Sequence, residues 1–118
     1  METKSFRDLI VWQKAYKLTL DIYRITVGFP KEEQYGIISQ MRRAAVSIPS
    51  NISEGYSRQH KLEYRQFLSV AYGSLSELQT QLLISKDLRY LAEADYNVLA
   101  VLINEVGAML YRMIHPIR

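Results

Sequence analysis

A proline inside a helical pattern constrains this chain more than any other feature. Over residues 40–56, Met41, Ala44, Ala45, Ile48, Ile52 and Tyr56 recur at three- and four-residue intervals and so share one helix face, with Pro49 in their midst. Proline lacks the N–H that would bond the carbonyl of Ala45, and its ring presses on that carbonyl, at about 3 kcal/mol in an ordinary helix interior. Neighbouring groups must offset that cost. Ser50, Asn51 and Ser53 are the nearest that could supply donors or bond back into the preceding turn. Two readings follow: one helix bent at Pro49 and held by its neighbours, or two helices broken there with Ser47 as a cap. The bent helix is the expectation.

The rest of the 118 residues reads as scaffold for one domain spanning 1–118. The first helix is predicted from Arg7 or Asp8 to Thr26, capped by Ser5 or Asp8, with Leu9, Trp12, Ala15, Tyr16, Thr19, Ile22 and Tyr23 inward. Gly28, suited to the left-handed conformation past a helix, and then Pro30 stop it. The second is predicted from Lys31 or Glu32 to Tyr56 or Ser57, with Ile37 and Ile38 added to its apolar face. The third runs from Lys61 to Lys86 or Asp87 through Tyr64, Phe67 or Leu68, Ala71, Leu75, Leu78 and Leu82, with Gly73 and Ser74 permitting a close helix approach. The fourth runs from Ala92 or Glu93 to Ile114, ended by Pro116, with Tyr96, Leu99, Leu102 or Ile103, Val106, Met109 or Leu110 and Met113 inward. No alternating strand pattern survives against the helical template. The fold class is all-α, an up-down-up-down antiparallel four-helix bundle.

Composition removes several functions. There is no cysteine, so disulfides, thiolate nucleophiles and cysteine metal sites are excluded. His60 and His115 stand far apart without ligand-like carboxylate spacing, so no metal site and no cofactor is expected. No nucleophile or oxyanion motif accompanies the carboxylates, so no catalytic residues and no enzyme are expected. A charged amino terminus without a signal-type apolar core, and the lack of eighteen consecutive apolar residues, point to the cytoplasm and away from membranes. Fifteen Lys and Arg against twelve Asp and Glu give +3, a mild excess that matters only if clustered. An apolar fraction of 48% with nine tyrosines is generous for a small bundle, so part of that surface is expected to meet another subunit.

Two constellations stand out. Gln40, Arg43, Ser47, Asn51 and Glu54 line up as a polar stripe beside the apolar one. It is read as a structural network, Arg43 bonding Glu54 or Glu77 and Asn51 satisfying backbone around the proline. Basic residues gather at Arg58, His60, Lys61 and Arg65, diluted by Glu63, as a candidate nucleic-acid surface. Lys14, Lys17 and Arg24 form a second candidate strip, interrupted by Asp21. Trp12, Tyr16 and Tyr23 are read as core; any left exposed would mark a subunit contact rather than base stacking.

The runs Asp8-Leu9-Ile10-Val11-Trp12-Gln13-Lys14-Ala15 and Phe29-Pro30, the whole of residues 40–56, then Arg58, Phe67-Leu68 and Gly73-Ser74-Leu75-Ser76-Glu77-Leu78 carry a resemblance across essentially the whole chain. It resembles the small four-helix-bundle proteins encoded within intervening sequences of bacterial 23S ribosomal RNA genes. The resemblance implies a bundle that assembles as a ring, a pentamer, with no established enzymatic activity. The chain is also similar to the accessory protein of diversity-generating retroelements, a pentameric bundle with a basic surface that works with a reverse transcriptase and nucleic acid. It departs from the pattern at Arg89, where glycine is expected, and at Ala92, where a capping serine is common. The expected function is a non-enzymatic homo-oligomer that binds RNA or a nucleic-acid-processing partner through basic surface residues. The alternative is a scaffold that contacts only protein.

Overall fold

The computed structural model describes residues 4–117. Four helices carry it: α1 (Ile10–Thr26), α2 (Ile37–Tyr56), α3 (Lys61–Asp87) and α4 (Glu93–Ile114), with no strand among the described residues. The longest, α3, has 27 residues. At a rise of about 1.5 Å per residue it spans the long dimension of a molecule measuring 44 × 24 × 21 Å.

α1 starts later than the sequence pattern suggests. Phe6–Asp8 form a single 3-10 turn, in which Ser5 accepts from the Arg7 amide and Asp8 accepts from the amides of Lys4 and Ser5. That reciprocal cap serves the short turn, and Leu9 then takes extended backbone before α1 begins. At the other end Gly28 does not adopt the left-handed conformation. The chain instead tightens into three-residue turns, with the amides of Val27, Gly28 and Phe29 bonding the carbonyls of Arg24, Ile25 and Thr26. Buried Phe29 anchors that turn.

α2 also begins late. Lys31–Glu33 make another 3-10 turn, and Gly36 precedes the first residue of α2. Glu33 nevertheless acts at this helix start, as its carboxylate lies 3.5 Å from the Ile37 amide and accepts the Tyr90 hydroxyl at 2.8 Å.

From Ile37 to Tyr56 α2 runs unbroken through buried Pro49, which excludes the two-helix reading and Ser47 as a cap. The orphaned carbonyl of Ala45 finds its donor on another helix: the Thr19 hydroxyl lies 2.9 Å from it. The same hydroxyl lies 3.0 Å from the Ala15 carbonyl of its own helix, so one proton serves both. Asn51 and Ser53 bond back into the preceding turn, one of the two roles expected of them. Asn51 donates to the carbonyl and hydroxyl of Ser47, and Ser53 donates to the Ser50 carbonyl.

Contacts between neighbouring helices run in opposite order along the two partners. Thr19 meets Ala45 while Thr26 meets Arg42; Ser47 meets Ser74 while Met41 meets Ser85; Tyr72 meets Tyr111 while Lys86 meets Tyr96. The α1–α4 pair closes the circuit through Lys14 and Glu105. The core comprises Val11, Ala15, Leu18 and Ile22 of α1, the expected face of α2, and Leu68, Ala71, Leu75, Leu78 and Leu82 of α3. α4 adds Leu99, Leu102, Ile103, Val106 and Leu110.

Two expectations for the packing are corrected. Tyr16 and Tyr23 are exposed and Trp12 is half-buried, because the buried stripe of α1 is centred one step away, on Leu18 and Ile22. Gly73 faces open space and admits no close helix, whereas its neighbour Ser74 does meet α2 through the Ser47 hydroxyl; the close approaches at glycine fall at Gly55 and Gly107. A Cβ at Gly55 would stand 2.7 Å from that of Phe67, and one at Gly107 would stand 3.3 Å from the Leu75 side chain. Both glycines lie where helices press together.

The α3 terminus resolves the departure at Arg89. Its φ is 64°, the left-handed value a glycine would take freely. The Tyr90 amide bonds the Ser85 carbonyl and the Arg89 amide that of Lys86, both at 2.9 Å, which completes a Schellman turn without glycine. Ala92 precedes α4 with no side-chain cap.

Candidate nucleic-acid interface

The α2–α3 turn sets the site. Gly55 lets α3 cross close beneath the last turn of α2, Ser57 closes that turn by donating to the Glu54 carbonyl at 2.7 Å, and His60 is extended before α3. Arg58 is thereby folded back. Its guanidinium sits 4.9 Å from the Phe67 ring centroid and 3.2 Å from Glu54, in an ion pair open to solvent. Lys61 is the first residue of α3, exposed, and Arg65 lies one turn further on the same face.

Lys61 and Arg65 border a groove of about 340 Å³ with Tyr64, Leu68, Met113 and Pro116. The last turn of α4 therefore stands beside the first turns of α3. This brings in Arg112, which borders the next groove with Ile10 and Met109 of α1 and α4, and His115, whose ring packs 4.6 Å from that of Tyr111. Among the described residues, Lys61, Arg65 and Arg112 form no ion pair. Burial raises the hydroxyl pKa of Tyr64 above its ordinary value, with Tyr56 adding to the effect, so the phenol stays neutral beside these cations.

The second candidate strip is arranged differently. Lys14 pairs with Glu105 at 3.4 Å, Lys17 with Asp21 at 2.9 Å, and Asp21 also binds Arg24 at 2.8 Å. Their charge is answered within the bundle, and they stand on the flank rather than at the Arg58 end.

The polar stripe divides. Ser47 shares a hydrogen bond with the Ser74 hydroxyl at the α2–α3 seam, and Asn51 donates to that Ser47 hydroxyl. Arg43 is exposed and pairs with neither Glu54 nor Glu77, since Glu54 is engaged by Arg58 and Glu77 lies 3.4 Å from the Gln81 amide. Arg42 turns to α1, donating to Thr26 at 2.9 Å and to the Tyr23 carbonyl at 3.3 Å, with the Tyr23 ring 4.7 Å away. It thus serves one open carbonyl in the last turn of α1. Sequence reasoning missed Arg112 and His115, which lie far along the chain from Arg58. The antiparallel pairing of α3 and α4 is the signal that would have brought them in. Among the described residues no group of three His, Asp or Glu is placed to hold a metal ion.

Comparison with known proteins places this geometry in context. A solved structure of a protein of unknown function from the S23 ribosomal protein family of Bacteroides thetaiotaomicron superposes with a TM-score of 0.81 at 20% identity, covering 90% of this chain and 99% of that one. That likeness establishes the shared fold. No curated protein matches. The family model for the 23S rRNA-intervening sequence protein matches residues 7–112, nearly the whole length. The chain belongs to the 23S rRNA-intervening sequence protein family.

Proposed function

We propose that this chain is a non-enzymatic, self-assembling four-helix module that holds structured RNA, or a partner that processes nucleic acid, against the end bearing Arg58, Lys61 and Arg65. The supporting observation is that Lys61 and Arg65 border one groove and Arg112 the next, none with a carboxylate partner among the described residues. Cations left unanswered in this way release counterions when they meet phosphates, so binding should weaken steeply with salt. Lys14 and Lys17 are auxiliary contacts in this reading, because each must first give up a carboxylate. One protomer offers a small patch, and a ring, five-membered as the family resemblance implies, would repeat it at fixed spacing. The cytoplasm is the compartment this reading requires.

Uncovered apolar side chains on α1 and α4 favour a second reading, a scaffold for protein alone. α4 is long and apolar enough to cross a membrane. Glu105, halfway along it and paired with Lys14, argues for contact with protein rather than lipid. Binding to 23S ribosomal RNA fragments across a salt series tests the first reading. It predicts affinity that falls log-linearly with salt, and no binding at low salt would remove it. Pull-down with and without nuclease tests the second, which requires a partner that survives digestion.

A further inference from the structure

We infer that the outer face of the α1–α2 pair is a docking surface for a second copy of this chain, and that the surface it receives is the outer face of α4. This rests on the self-assembly proposed above and adds which faces meet. α1 leaves Tyr16, Leu20, Tyr23 and Val27 on one exposed line, Val27 being 78% exposed. Beside that line the α1–α2 seam opens into a groove of about 350 Å³ bordered by Phe6, Trp12, Tyr16, Val46 and Pro49. α4 is the most apolar of the four helices, yet only 28% of its most apolar stretch is buried. Val98 and Val101 stand 66% and 61% exposed on its outer side.

Charge selects the occupant. With Lys14 and Glu105 answering each other inside the chain, α4 keeps Glu93 and Asp95 against Arg112, and α1 and α2 together keep four cations against Asp21 and Glu54. Each face would therefore repel its own copy and attract the other. The shorter line fits within the longer: Tyr16 to Val27 covers roughly 16 Å, and Ala94 to Ala108 on the outer side of α4 covers roughly 21 Å. α1 meets α2 on one flank and α4 on the other, so one chain can use both faces at once. A contact of two unlike faces is heterologous, and it closes into a ring or runs on as a filament.

The test uses light scattering on the full chain and two variants, Tyr16→Glu with Tyr23→Glu and Val98→Glu with Val101→Glu. Wild type should be assembled, and each variant should fall to the mass of one chain, 13.8 kDa, with its helical circular dichroism retained. An equimolar mixture of the two variants should stop at dimers, since only one good pairing of faces survives. Dissociation by one variant alone would overturn the inference, as would variants that still assemble; in both cases self-assembly itself stands. A monomeric wild type would overturn both, leaving the faces to another protein or a lipid surface. Disulfide trapping guards against misfolded variants, because the chain has no cysteine of its own. Leu20→Cys and Val101→Cys chains should cross-link when mixed and not when separate; the reverse pattern contradicts the pairing.

Discussion

At the end where α2 turns into α3, Lys61 and Arg65 border one groove and Arg112 the next, with Arg58 in the turn itself and His115 just past α4. At the opposite end Lys31, Lys86 and Arg89 are interleaved with Glu32, Glu33, Asp87, Glu93 and Asp95, and the Tyr90–Glu33 bond ties the two turns together. One end holds Lys61, Arg65 and Arg112 without an ion pair among the described residues, beside a turn made possible by a glycine. The other interleaves three cations with five carboxylates along the sequence and accepts a strained arginine to close a helix. The contrast separates what the fold needs from what a polyanion would recognise.

The largest expected effect probes the cations of the α2–α3 turn. Arg58→Glu with Lys61→Glu should weaken RNA binding about 100-fold at low salt, about 2.7 kcal/mol, and flatten the salt dependence. Lys31→Glu with Arg89→Glu, the same charge change at the other end, should leave the affinity within about 3-fold of wild type. Equal losses from both pairs would erase the distinction. Next, Gly55→Ala should cost about 2 kcal/mol in chemical denaturation, since the new Cβ meets that of Phe67 at 2.7 Å and overpacking forces the helices apart. Gly73→Ala, facing open space, should stabilise by about 0.5–1 kcal/mol through helix propensity.

Midway between the ends, Thr19→Val should cost about 1–2 kcal/mol by leaving the Ala45 carbonyl without a donor. That loss should shrink in a Pro49→Ala background, where residue 49 regains an N–H and any bend at the proline relaxes. Additive losses would mean that the hydroxyl and the proline are not coupled. At the acidic end Arg89→Gly should stabilise by about 1 kcal/mol, because glycine takes the left-handed position without strain, and Ala92→Ser by about 0.5–1 kcal/mol as a new cap. Thermal unfolding checks both, with RNA affinity expected to stay unchanged.

The smallest effect contrasts two tyrosines. Burial chiefly raises Tyr64 and donation to Glu33 chiefly raises Tyr90, so each hydroxyl keeps its proton to higher pH in the folded state than in the unfolded one. Stability from both is whole below the ordinary tyrosine value of about 10 and declines as pH rises above it through the folded values. Glu33→Gln should reduce the alkaline loss from Tyr90 and leave that from Tyr64, as pH-dependent denaturation would show.

The helical faces were readable because three- and four-residue periods report burial directly, as with Leu75, Leu78 and Leu82. Helix starts were not, because Ser5 and Glu33 carry capping chemistry that also suits a 3-10 turn. The proline's remedy was hidden for a different reason. Thr19 lies 26 residues from Ala45, and only tertiary packing brings its hydroxyl to that carbonyl. The exposed line of Tyr16 and Tyr23 shows the limit of aromatic spacing, which marks a face without saying whether this chain or another covers it. At the candidate site, Arg58, Lys61 and Arg65 were legible as a local cluster, while Arg112 and His115 join it only through helix register.

Photo-crosslinking of bound 23S ribosomal RNA to the intact assembly, followed by mapping of the modified peptides, tests the division between the ends most directly. Adducts concentrated in residues 57–65 and 109–117 are the expected result. Adducts concentrated in 31–42 and 86–95 would contradict it.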